Sequence, residues 1–518
     1  MMNLLILAKE FSVPMALVDY IPVFCFGIAC FILMKSFTKE MNKAQFALFA
    51  CGTIDVFLAG FLKATYKLMY AANVCDFEAL NNIETLKSKV IIVLNDNEMS
   101  ISKNVGGLSK FLKNVRLSHS YETASKGYKK ILSKTTLGKK IFEISYNIKE
   151  KFKRRINDNI FTNLNIDYLG PVDGHNIEEL IKAFKKAKNS KKSILVHVIT
   201  KKGKGYLPAE KNASAWHGVG LFDSKTGELK KSYLPSLSQI ISDTVYEFME
   251  KDDSIVTITP AMIGGSKLEK IFKDFPERSI DTGITESFAT TLACAISLNK
   301  KKVFLPIYSS FLQRAYDNIN HDIARMNAPV VIGIDRAGIV GADGETHQGI
   351  YDFAYLGHLP NTTIAAPCSI KEMENMLALG MQVFDKEKNP EVHGCFVIRY
   401  PAKERLTERE GLLEYSPVEY GKGAVIFDTA DGGEADLCIM TAGAIAEEAL
   451  KAAEKLAETG VKVRVFNARF IKPLNEEGVL KNAAGAKCVI TAEEAVEFGG
   501  FGERVKLICQ NNNITSKI

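Results

Sequence analysis

The densest group of chemically capable side chains lies in the segment DRAGIVGADGETHQG, residues 335–349. Its four glycines favour an irregular loop, and this loop carries Asp335, Arg336, Asp343 and His347. A guanidinium group suits a phosphate, and an imidazole suits proton transfer. A solvated surface loop is the alternative. So many polar groups on a glycine scaffold are more typical of a binding loop.

Two other segments carry oxygen-bearing side chains that could take part in catalysis. GITESFATTLACAIS (283–297) places Glu286 at the start of a largely apolar helix, where a carboxylate can share a proton with a heterocyclic nitrogen. LNDNEMSIS (94–102) follows an apolar strand and offers oxygen ligands of the kind that suits Mg²⁺. Each segment also has a purely structural interpretation, as favourable charge at a helix start or as an Asn- and Asp-rich turn.

The elements that must position these residues alternate between strand and helix. The sequence predicts strands at 89–95, 193–199, 254–258, 302–307, 329–334, 395–399, 435–443, 461–468 and 488–494, and helices at 176–189, 236–250, 285–298, 310–326, 370–383 and 444–459. In the first helix, Ile177, Leu180, Ile181 and Phe184 share one stripe. Such alternation predicts parallel sheets covered on both faces, with ligands beyond the carboxyl ends of the strands.

Length and composition narrow the class of protein. A chain of 518 residues suggests about three domains. The formal net charge of +6 is small for this length and gives no reason to expect a nucleic-acid partner. The ten cysteines form neither a CxxC pair nor a Cys/His cluster with metal-ligand spacing, which predicts reduced thiols in a cytoplasmic protein.

The first 70 residues differ from the rest of the chain. Residues 12–34 and 44–62 are almost wholly apolar, and each run is near the length that spans a bilayer. A membrane hairpin over 12–62 is therefore predicted. A buried hairpin of a soluble protein is the alternative, because Asp19 and Asp55 would be costly in lipid.

Several motifs in order give the chain a family resemblance. VLNDNEMSIS, YLGPVDGH, TKKGKGY, TITPAM, YSSFLQRAYD and DRAGIVGADGETHQG resemble the 1-deoxy-D-xylulose-5-phosphate synthases, members of the transketolase-like superfamily. The resemblance runs from about Phe77 to the C-terminus and implies an α/β fold of consecutive doubly wound parallel-sheet domains of transketolase type, preceded by the apolar helical hairpin. The implied domains are 1–76, the foreign hairpin; 77–234, a remnant of the diphosphate-binding domain; 235–401, the pyrimidine-binding domain; and 417–518, a truncated C-terminal domain.

The resemblance also implies an activity. It is the decarboxylative condensation of pyruvate with D-glyceraldehyde 3-phosphate to 1-deoxy-D-xylulose 5-phosphate, which feeds isoprenoid and thiamine biosynthesis. Thiamine diphosphate and Mg²⁺ are the implied cofactors. The implied assembly is a homodimer with a cytoplasmic enzymatic body, and the hairpin would be an additional membrane anchor.

Residue roles follow from the resemblance position by position. It implies that Glu286, His217, Asp343 and His347 are catalytic, that Asn97, Met99, Tyr206, Glu286 and Phe311 bind the cofactor, that Asn97 and Met99 hold the metal, and that Tyr308, Arg314 and Arg336 bind the acceptor substrate. The assignment of His217 rests on the resemblance alone.

The chain departs from the family pattern at several positions. An ungapped count back from Asn97 places Leu68 where the family has the aspartate of a Gly-Asp-Gly metal segment, and an aliphatic side chain cannot bind Mg²⁺. Ser287 and Phe288 follow Glu286 where the family has Gln or Glu and then His. Ala402 stands where the family has a phosphate-binding arginine, for which Lys403 is a partial substitute.

Three hypotheses accommodate these departures: a working synthase, a complementing subunit that needs a separate diphosphate-binding chain, and a fusion near 76–82 of a membrane protein's start with a synthase's remainder. The loss of a metal carboxylate predicts that this chain alone releases no CO₂ above background. Incomplete sheets with open edges predict poor solubility.

Overall fold

The computed structural model describes residues 80, 82–83, 89–99, 161, 164–228, 236–341, 343–384, 392, 394–401, 417–514 and 516–517. The chain divides into two compact units, Met1–Lys230 and Lys231–Ile518. The predicted hairpin over 12–62, the segment 103–155, and Leu68, Ala402 and Lys403 lie outside the described residues. Within the ranges given above, no helix is both long and apolar enough to cross a membrane.

The first unit contains a parallel sheet of three strands in the order β1-β3-β2. The elements are β1 Ile91–Asp96, β2 Asp167–Asp173, α1 Ile177–Asn189, β3 Ile194–Ile199 and α2 Leu207–Lys211. The central strand, ILVHVI, is buried along almost its whole length, as expected for a strand that is covered on both faces. The strands and the helix predicted here are therefore confirmed.

Helix α1 packs on the sheet through two alanines, with the partly buried Leu180 beside them. Ala183 and Ala187 are buried against β3, and Asn176 caps the helix by accepting a hydrogen bond from the amide of Glu179. Ile177 and Ile181, from the predicted apolar stripe, are 67% and 49% exposed. The alanines let the helix backbone approach the sheet closely, and the face that contains Ile177 and Ile181 is left exposed.

The second unit contains a seven-stranded sheet in the order β13-β8-β9-β7-β6-β4-β5 and a four-stranded sheet in the order β10-β12-β11-β14. The strands are β4 Ile255–Thr259, β5 Ser279–Asp281, β6 Lys302–Tyr308, β7 Val330–Asp335, β8 Thr362–Ala365, β9 Cys395–Arg399, β10 Ala424–Asp428, β11 Ala435–Thr441, β12 Val463–Asn467, β13 Phe470–Lys472 and β14 Ala486–Ala492. All neighbouring strands run parallel except β13 beside β8 and β10 beside β12. The predicted parallel-sheet architecture is thus confirmed for both units.

Helices lie between these strands. They are α3 Leu237–Lys251, α4 Glu269–Asp274, α5 Glu286–Leu298, α6 Ser309–Leu312, α7 Tyr316–Asn318, α8 Asp352–Gly357, α9 Ile370–Gly380, α10 Ala446–Glu458, α11 Glu476–Ala484 and α12 Phe501–Asn511. The prediction of one continuous helix over 310–326 is wrong. The segment is helical in short pieces, with a 3₁₀ turn at Gln313–Ala315 and a π-helical turn at Ile319–Ala324. Irregular helical turns of this kind often occur at functional sites.

The core of the second unit explains its apolar strands. Every residue of β7 is buried, and so are the five central residues of β6. Tyr308, the last residue of β6, is paired in register with Asp335, the last residue of β7. Because the two strands are adjacent and parallel, the segments that follow them emerge at the same edge of the sheet.

Candidate functional site

An arginine anchored on a buried carboxylate begins the glycine-rich loop after β7. Asp335 is fully buried, and its Oδ2 accepts hydrogen bonds from Arg336 Nη1 at 2.7 Å and from Ser238 Oγ at 2.8 Å. Arg336 Nη1 also donates to the carbonyl of Gly265 at 3.0 Å. The Nε of Arg336 is buried and has no hydrogen-bond partner, with Asp343 Oδ2 3.7 Å away. One side of this guanidinium is thus fixed, while the other retains a donor for an anion.

The same charges change the titration of the group. Burial raises the pKa of Asp335 above its usual value, and the charge and hydrogen bonds of Arg336 oppose that shift. Burial acts to lower the pKa of Arg336, but the charges of Asp335, Tyr308 and Asp343 and the hydrogen bond to Asp335 together outweigh it, and the net shift is upward. Arg336 therefore stays cationic, as binding of a phosphate requires.

Three rings form a cluster next to this arginine. Tyr308 and Phe311 are stacked with their centroids 5.4 Å apart, and His347 meets Phe311 edge-on at 5.1 Å. The guanidinium carbon of Arg336 lies 4.3 Å from the centroid of the Tyr308 ring. Burial raises the pKa of Tyr308 to about 12, so its hydroxyl is neutral and able to donate a hydrogen bond.

The loop that carries His347 is closed by its own backbone and by one amide side chain. Gly338 and Gly349 exchange two backbone hydrogen bonds, of 2.8 and 2.9 Å. Gln348 accepts from the amide of Val340 and donates to the carbonyls of Val340 and Gly344. The predicted glycine-rich loop is therefore a closed structure, with Asp343 and His347 held on it.

Glu286 is the first residue of α5 and is only 5% exposed. Arg314 Nη1 lies 3.5 Å from both of its carboxylate oxygens, although the Arg314 side chain is 65% exposed. Ser287, which replaces the family's Gln or Glu, donates to the carbonyl of Arg314 at 3.0 Å. The helix start and the segment after β6 are thus joined at two points. Glu286 is a buried carboxylate rather than a solvated charge at a helix end.

In the first unit, Asn97 and Met99 lie in a tight turn after β1. Asn97 Oδ1 accepts a hydrogen bond from the Met99 amide at 2.9 Å. The preceding residue, Asp96, is buried and is hydrogen-bonded to Nε2 of the fully buried His197. The Nδ1 of His197 is hydrogen-bonded to the Tyr168 hydroxyl at 2.6 Å. A polar network therefore supports this turn from inside the sheet.

Tyr206 and His217 lie in the segment that follows β3. Trp216 packs edge-on against both Tyr206 and Phe222, at 4.9 and 4.7 Å. His217 is exposed; partial burial, together with the charge of Lys202, lowers its pKa. A neutral imidazole at this position can accept a proton.

The structure brings together one part of the predicted set within the second unit. Tyr308, Phe311, Arg336, Asp343 and His347 are linked by contacts, and Glu286 and Arg314 form a second linked pair. Asn97, Met99, Tyr206 and His217 belong to the first unit.

The donor groups present fit a thiazolium–aminopyrimidine cofactor on the pyrimidine side. They provide a buried carboxylate for a ring nitrogen, an aromatic face in Phe311, and the buried Ser310 hydroxyl, which has no partner. For Mg²⁺, Asn97 and the Met99 carbonyl supply two oxygens of a suitable kind. Among the residues that the structure describes, no three His, Cys, Asp or Glu side chains cluster in a way that could hold a metal ion.

Sequence reasoning did not assign the side chains that hold these groups in place. They include Ser238 under Arg336, Gln348 within the loop, and the buried pair of Asp352 and Arg399. Gln348 lies within the loop motif, Asp352 follows it closely, and Arg399 ends β9. Proximity to the motif is a signal in the sequence for Gln348 and Asp352, whereas Ser238 and Arg399 lie far from it along the chain.

Comparison with known proteins identifies the family. Residues 71–200 match the family model described as 1-deoxy-D-xylulose-5-phosphate synthase. Residues 235–392 match the pyrimidine-binding domain of transketolase, and 430–517 match the transketolase C-terminal domain.

Individual relatives extend the match over most of the chain. The 1-deoxy-D-xylulose-5-phosphate synthase of Listeria innocua is 41% identical over 448 residues, which cover 85% of this chain and 68% of that protein. The synthase of Bacillus mycoides is 42% identical over 448 residues, which cover 85% of this chain and 69% of that protein.

A solved structure titled split gene transketolase, inactive beta4 tetramer, is 26% identical and covers 54% of this chain and 85% of that one. Its TM-score of 0.44 is too low to support a structural conclusion. The identity and coverage of the synthases are sufficient by themselves. The chain belongs to the 1-deoxy-D-xylulose-5-phosphate synthase family, the thiamine-diphosphate-dependent transferases of transketolase type that use Mg²⁺.

Proposed function

We propose that the second unit supplies the pyrimidine side and the acceptor side of the family's reaction. That reaction condenses pyruvate with D-glyceraldehyde 3-phosphate, with loss of CO₂. The observation that carries the proposal is the linked cluster of Tyr308, Phe311, Arg336 and His347 beyond the ends of β6 and β7. It combines an aromatic face, a fixed cation with a free donor, and an imidazole within a few ångströms.

Each residue of the pyrimidine side has a role that fits its surroundings. Thiamine diphosphate, when bound, supplies the electron sink for decarboxylation. Glu286, a buried carboxylate at a helix start, would hold a proton for the aminopyrimidine ring when the cofactor is bound. Phe311 offers its face to that ring.

On the acceptor side, Arg336 and Arg314 bind the phosphate of the aldehyde substrate. Arg336 Nε is a buried donor that lacks a partner, and such a donor is costly unless a ligand satisfies it. Tyr308 donates from its neutral hydroxyl. His347 and Asp343 lie on the same closed loop, where they position and protonate the reacting carbonyl oxygen.

In the first unit, the proposed roles concern the cofactor. Asn97, through its side-chain oxygen, and Met99, through its carbonyl, are the proposed ligands of Mg²⁺. Tyr206, in its aromatic cluster with Trp216, would contact the cofactor. His217, with its lowered pKa, is a proton acceptor during the reaction.

A second candidate function is that of a complementing subunit. Leu68 at the position of the family's metal-binding aspartate and Ala402 at that of a phosphate-binding arginine favour it. In that case the chain alone would not turn over, and a chain with an intact diphosphate side would be needed. Since Leu68 and Ala402 lie outside the described residues, this candidate rests on the sequence.

The substitution Glu286→Gln tests the proposed role of the pyrimidine side. It keeps the shape of the side chain and removes the proton exchange, so turnover should fall by about 10²–10⁴-fold. Glu269→Gln is the matched control, because Glu269 is the first residue of α4 and is exposed. Product formation from pyruvate and D-glyceraldehyde 3-phosphate is the measurement. Equal loss in both variants would contradict the role.

We further propose a homodimer with its enzymatic body in the cytoplasm. Six cysteines are free among the residues that the structure describes, as is typical of a reducing compartment. The hairpin over 12–62 stays a proposed additional anchor. Sedimentation of the full chain, with and without vesicles, would measure both the oligomeric state and membrane binding. A monomer that does not bind vesicles would contradict both the homodimer and the membrane anchor.

A further inference from the structure

The buried ion pair of Asp352 and Arg399 is hydrogen-bonded to the segments that carry Phe311 and His347. No catalytic role proposed above accounts for it. Arg399 and Asp352 are 5% and 1% exposed. Arg399 Nε donates to both carboxylate oxygens of Asp352, at 3.0 and 2.9 Å, and its guanidinium lies over the Phe353 ring at 4.3 Å. Both side chains are hydrogen-bonded to other groups of the protein.

The pair joins three separate parts of the chain. The Nη2 of Arg399 donates to the carbonyl of Gly349 at 3.2 Å and to that of Glu494 at 2.6 Å. On the other side, Asp352 Oδ2 accepts from Ser309 Oγ at 3.1 Å. The end of the glycine-rich loop, the start of α6 and the segment after β14 are thereby tied to one ion pair.

These attachment points flank the reactive rings. Ser309 stands two residues before Phe311, and Gly349 stands two residues after His347. A Cβ atom at position 349 would lie 2.8 Å from Ser309 Cβ and 2.2 Å from the Arg336 carbonyl oxygen, so the loop end is pressed against both segments. The separation of Phe311 and His347 therefore depends on how firmly Ser309 and Gly349 are held.

A buried ion pair is a poor source of net stability, because desolvation of the two charges offsets their attraction. It does, however, impose direction and distance on everything hydrogen-bonded to it. We propose that Asp352 and Arg399 are positioning residues that set the register between the Phe311 segment and the His347 loop, and with it the fit of the aldehyde acceptor. This inference rests on the proposed function of those rings, and its structural part is measurable without turnover.

The first measurement is amide hydrogen exchange in the full chain. Ser309→Ala removes one hydrogen bond of the pair, and Asp352→Asn removes its charge. Both should speed exchange at Gly338 and Gly349 by about tenfold, which corresponds to the loss of one hydrogen bond. Ser279→Ala is the matched control, because Ser279 lies on β5, is buried, and donates its hydroxyl to the Phe275 carbonyl. Unchanged exchange in 335–349 in both variants would overturn the proposal, whether or not the chain makes product.

The second measurement separates positioning from stability. If the pair positions the acceptor pocket, Ser309→Ala should raise KM for D-glyceraldehyde 3-phosphate by about fivefold or more and leave KM for pyruvate within about twofold. Arg399→Lys, which keeps the charge and loses the fork, should show the same split. A fall in kcat with both KM values unchanged would mean a merely structural role and would overturn the proposal.

Discussion

The anchoring of Arg336 on Asp335 gives the sharpest quantitative prediction. Arg336→Met keeps the apolar stem and removes the cation that is bonded to the fully buried carboxylate of Asp335. Breaking a buried pair typically costs about 3–5 kcal/mol. Ser238 Oγ and the Arg336 amide, both at 2.8 Å, still bond Asp335, so we expect the lower end, about 3 kcal/mol. That cost lowers the melting temperature of this unit by about 6–12 °C.

The deficit should depend on pH in a definite direction. The pKa of Asp335 is raised in the folded state, so the folded state binds more protons than the unfolded one between the two pKa values. The stability that this shift contributes is fully present below the pKa of Asp335 in the unfolded state, about 4. It is lost as the pH rises through the pKa of Asp335 in the folded state. Removing Arg336 takes away a group that lowers the pKa of Asp335, so the pH range over which the folded state loses stability extends to higher pH. The loss in melting temperature should therefore be larger at neutral pH than at about pH 5.

Thermal unfolding of the full chain, followed by differential scanning fluorimetry at both pH values, measures this prediction. Arg325→Met is the matched control, because Arg325 is exposed and its Nε donates to the His321 carbonyl; the substitution should cost no more than about 0.5 kcal/mol. A shift for Arg336→Met no larger than that of the control would refute the reasoning. A deficit that grows as the pH falls would refute its electrostatic part.

Two further predictions concern geometry and metal binding. Gly265→Ala would place a Cβ 2.0 Å from the Tyr308 hydroxyl, so steady-state kinetics should show kcat/KM for the aldehyde lowered by about 10–100-fold. In the control Gly264→Ala the nearest atom to the new Cβ is 3.6 Å away, and kcat/KM should stay within about twofold. Similar values for both variants would contradict the placement of Tyr308. Asn97→Ala should weaken Mg²⁺-dependent binding of thiamine diphosphate by about tenfold or more in calorimetry, and Asn176→Ala, which loses a comparable side-chain bond to a backbone amide, should not. Equal affinities would remove Asn97 from the metal site.

The parts of the fold that follow from local patterns could be predicted from the sequence. Continuous apolar runs such as VFLPI in β6 identify buried parallel strands, and the glycine-rich segment after β7 identifies a binding loop. Adjacent parallel strands then bring Tyr308 and Asp335 to one edge. These steps need only periodicity and strand order.

Other parts depend on contacts between distant residues. Asp352 and Arg399 are 47 positions apart, and no local pattern distinguishes Arg399 from an ordinary charge at a strand end. The exposed stripe of α1 shows the same limit, because the two alanines that face the sheet carry little hydrophobic signal. The break in the helix over 310–326 was missed because helix-favouring residues run through it, while its turns follow from tertiary packing.

The predictions for Leu68 and for the hairpin over 12–62 remain predictions, since both lie outside the described residues. The expected poor solubility likewise awaits measurement.

The most direct test of the central claim is formation of 1-deoxy-D-xylulose 5-phosphate from both substrates with thiamine diphosphate and Mg²⁺. The chain is assayed alone and mixed with a Listeria innocua synthase whose own glutamate at the position aligned with Glu286 has been replaced by glutamine. We predict product in at least one of these preparations, and a decrease of at least about 100-fold when this chain carries Glu286→Gln. No product in either preparation, or equal product with and without the substitution, would contradict the account.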